Sequence, residues 1–227
     1  MDNMDKLAGI ILAAGDGKRM NSRIPTGLHR LCGKELLRYP VELLGRLGVD
    51  RVVVVVSPAN QDTVKALLGD GVDYAVQPSM TGTAGAVKAA ATTLQGQADQ
   101  VVVIGGDAPL VTDDSVRRLL DGHLEEGRKM SIMSGIVQTS AGLGRVKRDL
   151  GSQQNVLGIV EATDDTERDG PPVAVNSGVY CFQADWLWAH LEKVDVSSPG
   201  EGYLPDQAAD ASGPGAPADA RPSTNHE

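Results

Sequence analysis

Short apolar runs alternate with amphipathic stretches over the first 130 residues. The run Leu7 to Leu12 predicts a strand, and a turn of small residues follows it over 13–20. The Pro-containing segment 22–33 reads as a loop. Leucines and Val41 at helical spacing predict a helix over 36–47. Pro40 falls inside that window, so the regular helix starts near it, where a missing N–H is tolerated. Residues 51–57 hold the uninterrupted valine run Val52 to Val56. A continuous β-branched run marks a strand buried on both faces. The same pattern predicts a helix over 60–68, a strand over 72–76, an Ala-rich helix over 83–94, a buried strand over 101–104 and a helix over 115–126.

Strand–helix alternation with short links predicts an α/β protein with a doubly wound, mainly parallel sheet. In such sheets ligands bind beyond the carboxyl ends of the strands. The turns over 12–20 and 105–110 both follow strands and so both reach that edge. From about residue 130 the pattern loosens. Strands are predicted over 131–137, 144–148, 156–161 and 174–182, with a polar turn at 151–155 and a short helix over 184–191 that carries both tryptophans. This half reads as mixed or antiparallel. After Asp206 the chain is mostly Gly, Pro, Ala, Ser and Asp, and 207–227 is expected to be a disordered tail.

Composition sharpens this picture. The hydrophobic share is 41% but the aromatic share only 3%, so the core is built from Val, Leu, Ile and Ala, which suits a parallel sheet under helices. The formal net charge of -9 offers no basic face for nucleic acid. The apolar stretches are far shorter than the roughly 20 residues of a membrane span, and no basic run precedes an apolar core near the N-terminus. No membrane association is expected, and a cytoplasmic protein is. Cys32 and Cys181 sit in apolar sequence surroundings without metal-ligand spacing, so both are expected as buried, reduced thiols.

The chemistry concentrates in a few runs. In Leu12-Ala13-Ala14-Gly15-Asp16-Gly17-Lys18-Arg19-Met20, small residues allow close backbone approach to a ligand. Successive N–H groups in such a turn hold phosphate oxygens, and Arg19 adds a charge-assisted contact. The spacing is neither a Rossmann fingerprint nor a Walker A loop, and a plain strand–loop turn is the alternative. Gly82-Thr83 opens a helix, either as a cap or as a donor of free N–H groups. Asp107 ends a buried strand, either as a loop cap or as a metal ligand.

These runs resemble the nucleotide-sugar pyrophosphorylase superfamily, whose members open with a strand and a Leu-Ala-Ala-Gly-x-Gly-x-Arg-Met-like loop. The continuation Leu28-His29-Arg30-Leu31-Cys32-Gly33-Lys34 is similar to one branch, the uridylyltransferase domain of bifunctional N-acetylglucosamine-1-phosphate uridylyltransferase/glucosamine-1-phosphate acetyltransferase. Gln77 with Thr81-Gly82-Thr83-Ala84, and Gly105-Gly106-Asp107-Ala108-Pro109-Leu110, resemble that branch's later motifs. So do Gly142-Leu143-Gly144-Arg145-Val146, Gly158-Ile159-Val160-Glu161 and Val175-Asn176-Ser177-Gly178-Val179, while Glu201 to Asp206 matches only partly.

The resemblance covers about residues 7 to 206 and implies a Rossmann-like nucleotidyltransferase fold with a mixed/antiparallel sugar-binding lobe. It divides a domain over 1–206 into a nucleotide-binding half, 1–130, and a sugar-binding half, 131–206. It implies transfer of UMP from UTP to N-acetylglucosamine-1-phosphate, with Arg19 and Asp107 as the catalytic pair and Mg2+ held by Asp107. Nucleotide binding falls to Leu12, Ala13, Ala14, Gly15, Gln77, Gly82, Thr83, Gly105 and Gly106. The sugar falls to Gly144, Glu161 and Asn176.

The chain departs from that pattern. Pro25 is followed by Thr26 rather than the family's Lys, and Thr supplies no phosphate-neutralising charge. Lys18 stands where the family has Thr or Ser. The late Asn that shares the metal in the family has no match, since Asn225 lies in different surroundings. No left-handed β-helix follows, so neither acetyl-CoA chemistry nor the trimer it builds is implied. Another sugar phosphate or nucleotide, or a catalytically weak nucleotide-sugar binder, are the alternatives.

Overall fold

The computed structural model describes residues 6–15, 17, 20–22, 24–139, 142–148, 156–160, 172–193, 204 and 219–222. They fall into two compact units, Met1–Asp113 with Gln183–Gly202, and Asp114–Phe182 with Tyr203–Glu227. The sequence pattern, by contrast, changes character near residue 130.

The first unit is a parallel α/β layer. Strands β1 (Leu7–Leu12), β4 (Arg51–Val56), β5 (Asp73–Val76) and β6 (Gln100–Gly105) run side by side in the order β6-β1-β4-β5. Leu12 pairs with Val55 on one side and Gly105 on the other, so β1 is central and flanked in register. Ile10, Ile11, Val53 to Val56 and Val101 to Ile104 are fully buried, as the β-branched runs predict.

Helices α1 (Arg38–Arg46), α2 (Gln61–Leu68) and α3 (Gly82–Leu94) link these strands. Pro40 is the third residue of α1, inside the first turn where its missing N–H costs no helical bond. Gly9 makes room for α1: a Cβ there would stand 2.6 Å from Leu44 Cδ1. Crossovers to β4 and β5 step one way across the sheet, and the crossover through α3 returns to the far side of β1. Right-handed connections in both directions put helices on both faces, which is the doubly wound arrangement. Helix α5 (Ala184–Leu191), with Trp186 and Trp188 buried, also belongs to this unit.

The segment 22–33, expected as loop, holds more order than its composition suggests. A 3-10 turn covers Thr26–Leu28, and β2 (Arg30–Leu31) pairs antiparallel with β3 (Lys34–Glu35). Between them Cys32 and Gly33 both take positive φ, 51° and 82°, the signature of a tight I′ hairpin turn. Cys32 is therefore exposed at a hairpin tip, contrary to expectation, while Cys181 is buried as expected.

In the second unit, α4 (Asp113–Glu125) accompanies a mixed set of strands. Strand β10 (Val173–Gln183) pairs antiparallel with β7 (Met130–Val137) and with β8 (Arg145–Arg148), which pairs antiparallel with β9 (Val156–Val160). Residues 219–222, inside the segment expected to be disordered, form β11 (Asp219–Pro222) parallel to β7. Backbone pairing needs no large apolar side chains, so composition gives no sign of it. Among the described residues no helix is long and apolar enough to cross a membrane.

Candidate functional site

The first unit presents its candidate residues at one sheet edge. Strand order reverses between β1 and β6, and a reversal opens a crevice at the carboxyl ends of the two flanking strands. The loop after β1 carries Ala13, Ala14 and Gly15; the loop after β6 carries Gly106 and Asp107. They meet directly, because the Gly106 amide donates to the Leu12 carbonyl at 2.8 Å. Glycine at 106 permits this close approach: a Cβ there would lie 3.0 Å from both the Leu12 carbonyl oxygen and Leu37 Cδ1, and 3.3 Å from Ala13 Cβ.

The turn after β1 is held from the β4 side. The Ala13 amide donates to the Val55 carbonyl at 2.8 Å. The Ala13 carbonyl accepts a hydrogen bond from Asn60 Nδ2 at 2.8 Å, while Asn60 Oδ1 accepts from the Ser57 amide at 2.9 Å. The amides of Ala14 and Gly15 donate to no described residue. Two neighbouring amides without acceptors among the described residues suit a phosphate-binding turn.

Gln77 follows β5 and is 5% exposed. Its Nε2 donates to the Gly82 carbonyl at 3.1 Å and, at a longer 3.4 Å, to the Thr81 hydroxyl. Its Oε1 accepts nothing from the described residues. Gly85, one turn into α3, keeps this corner open: a Cβ there would fall 2.0 Å from Thr81 Oγ1. Gly82 has φ 76°, and the N-cap residue Thr81 makes no side-chain hydrogen bond that caps α3.

Asp107 is exposed, and its carboxylate accepts no hydrogen bond from another described residue. Gly105 makes space for it, since a Cβ at 105 would stand 2.8 Å from Asp107 Oδ1. Among the described residues no three His, Cys, Asp or Glu side chains gather into a metal-holding group. The donor set thus fits a Mg2+ ion held through one carboxylate, waters and substrate phosphates, and does not fit an all-protein cage. Thr26 lies beside Gly17, where a Cβ would sit 3.1 Å from its hydroxyl. His29 donates from Nε2 to the Ile24 carbonyl at 3.2 Å, a structural bond. Arg19, with Asp16 and Lys18, lies outside the described residues.

The second unit holds the other candidates. Gly144 accepts at its carbonyl from the Asn176 amide at 2.8 Å. The register of β10 shifts between Asn176 and Tyr180, and Gly178 takes φ 76° within that bulge. The bulge fixes the Asn176 carboxamide at both ends: Oδ1 accepts from the Gly178 amide at 3.0 Å, and Nδ2 donates to the Tyr180 hydroxyl at 2.7 Å. Bulges of this kind re-aim side chains. Glu161 lies outside the described residues.

A buried polar pair, His123 and Ser131, lies in the same unit with Nδ1 2.9 Å from the hydroxyl. Burial, with the nearby Arg128 charge adding to it, pushes the His123 pKa down to about 4.

Asn60, Gly85 and Tyr180 carry much of this geometry and escape a reading of motifs. Asn60 looks like an ordinary helix-start residue, and its carbonyl partner is 47 positions away. Gly85 and Tyr180 lie just past the motifs they support.

Comparison with known proteins agrees with the geometry. The model of the MobA-like NTP transferase domain matches residues 9–140, more than half of the chain. Over 204 residues the chain is 38% identical to the bifunctional protein GlmU of Caldanaerobacter subterraneus subsp. tengcongensis. Over the same length it is 35% identical to that of Bacillus licheniformis and 38% to that of a Geobacillus species. Each alignment takes in 89% of this chain and 44% of the relative, so the chain spans less than half the length of the curated relatives it matches.

Proposed function

The chain belongs to the MobA-like NTP transferase domain family, and on that footing we propose that it transfers UMP from UTP to N-acetylglucosamine-1-phosphate, giving UDP-N-acetylglucosamine and pyrophosphate. The observation that carries this reading is the gathering of three features at the carboxyl ends of β1, β5 and β6. These are the amides of Ala14 and Gly15, which donate to no described residue, the Gln77 carboxamide and the Asp107 carboxylate.

Each has a task in that reaction. The amides hold phosphate oxygens of the nucleotide, with Arg19 adding positive charge and Leu12, Gly105 and Gly106 forming the close floor. Gln77 Oε1 accepts the imide N–H of uracil, which cytosine lacks, and Gly82 and Thr83 line the base. Gly144, Glu161 and Asn176 hold the sugar hydroxyls and the N-acetyl group. The acceptor phosphate oxygen attacks the α-phosphorus in line and pyrophosphate leaves, so the chain's work is positioning and charge stabilisation. Asp107 and the substrate phosphates would hold Mg2+, which when bound would neutralise part of the triphosphate charge. No covalent intermediate is needed. The reaction belongs in the cytoplasm, in keeping with two free thiols.

One observation favours a second reading. Thr26 occupies the place of a family lysine and brings no charge, which suits a nucleotide-sugar binder with little turnover.

A substrate panel separates these readings. UTP, CTP and GTP are each paired with N-acetylglucosamine-1-phosphate and with glucose-1-phosphate, and pyrophosphate is measured. The proposal expects release only with UTP, and faster with the N-acetylated sugar. Preference for another pair moves the assignment within the family. Nucleotide-sugar binding without release supports the second reading.

A further inference from the structure

Asn60 stands at the N-cap of α2, where an Asn side chain ordinarily accepts an amide from the first turn of its own helix. It does not do so here: no side-chain hydrogen bond caps α2. Asn60 is 3% exposed, and its carboxamide turns back to the sheet edge instead. Oδ1 takes the Ser57 amide at the end of β4, and Nδ2 gives its hydrogen bond to the Ala13 carbonyl after β1. A side chain drawn away from its local task and satisfied at both ends by two different strand ends acts as a strut between them.

We infer that Asn60 is a positioning residue for the nucleotide-binding turn, setting the direction of the Ala14 amide. A trans peptide is planar, with its carbonyl and the following N–H pointing opposite ways. Once Asn60 draws the Ala13 carbonyl toward β4, the Ala14 N–H must point away from β4. That N–H donates to no described residue, although Ala14 is 4% exposed. A buried donor with no acceptor among the described residues is one that a ligand oxygen can satisfy. The ligand chemistry it fits is a nucleoside triphosphate oxygen. The inference rests on the nucleotidyl-transfer reading for the identity of that ligand, but the orientation itself depends only on the two hydrogen bonds.

The test uses uniformly 15N-labelled full chain and follows the Ala14 amide resonance during titration with UTP and, separately, with inorganic triphosphate. The variants are Asn60→Asp, which keeps the acceptor for Ser57 and replaces the donor to Ala13, and Asn60→Ser, which removes both bonds without adding charge. If the aspartate variant does not fold, the serine variant answers. In the wild type the Ala14 amide moves on ligand addition. In the folded variant that response is lost, and the apparent affinity for UTP falls about tenfold, as for one misdirected hydrogen-bond donor. The KM for the sugar phosphate stays within about twofold, a split that a general loss of structure does not produce.

A folded variant that keeps both the Ala14 response and the wild-type UTP affinity overturns the assignment. A wild-type response to inorganic triphosphate but not UTP, lost in the variant, supports the strut while removing uridylyl transfer. A wild type whose Ala14 amide responds to neither ligand overturns it.

Discussion

The Gly106 amide is hydrogen-bonded to the Leu12 carbonyl at 2.8 Å, so the loops after β1 and β6 are joined at the point where the strand order reverses. A side chain at 106 crowds this junction, because a Cβ would sit 3.0 Å from that same carbonyl and from Leu37 Cδ1. Gly106→Ala is expected to destabilise the fold by about 1–3 kcal/mol, as overpacking does. It is also expected to raise the KM for UTP more than that for the sugar phosphate. Denaturant unfolding and steady-state kinetics check the two effects; unchanged values in both would contradict the close approach.

The Tyr180 hydroxyl is the acceptor that fixes which way the Asn176 carboxamide faces. Tyr180→Phe removes that acceptor and leaves the ring. The expected outcome is a rise of about tenfold in the KM for N-acetylglucosamine-1-phosphate, the scale of one lost hydrogen bond. The KM for UTP should stay near its wild-type value. Equal changes in both constants would show that Tyr180 serves packing alone.

His123 makes stability depend on pH. Its folded-state pKa is pushed down to about 4 by burial, below the ordinary value of 6.5. The unfolded chain therefore takes up the proton first. The contribution is fully present above pH 6.5 and is lost as pH falls from there toward about 4. Its size is on the order of 3 kcal/mol. His123→Gln is expected to flatten this part of the pH–stability curve, measured by urea unfolding between pH 7 and pH 4. An unchanged slope would assign the dependence to other groups.

The parts of this molecule that were legible in the sequence are those that local composition determines. The Val52 to Val56 run announces burial on both faces because a β-branched stretch without polar relief has no other stable place. Pro40 marks the start of α1 because φ and the missing N–H leave few alternatives. The Gly105-Gly106-Asp107 run falls at a strand end, where the structure puts it. Other features rest on partners distant in the chain or on conformations that a residue type does not announce. Gly33 signals a turn, but the matching positive φ of Cys32 has no sequence signature, so the hairpin read as loop and Cys32 as buried. Asn60 carries the appearance of a cap and the function of a strut to Ala13. The β11 strand pairs through backbone groups that composition does not report.

Uridylyl transfer is tested by pyrophosphate release from UTP and N-acetylglucosamine-1-phosphate in the presence of Mg2+, comparing the wild type with Asp107→Ala. The Asp107 carboxylate accepts no hydrogen bond from another described residue, so its loss should leave the fold intact, as a thermal melt checks. Steady release is expected from the wild type and a fall of at least about a hundredfold in the variant, the scale on which positioned charge acts in such reactions. A folded wild type that releases no pyrophosphate, or a variant that releases it at the wild-type rate, would contradict this expectation.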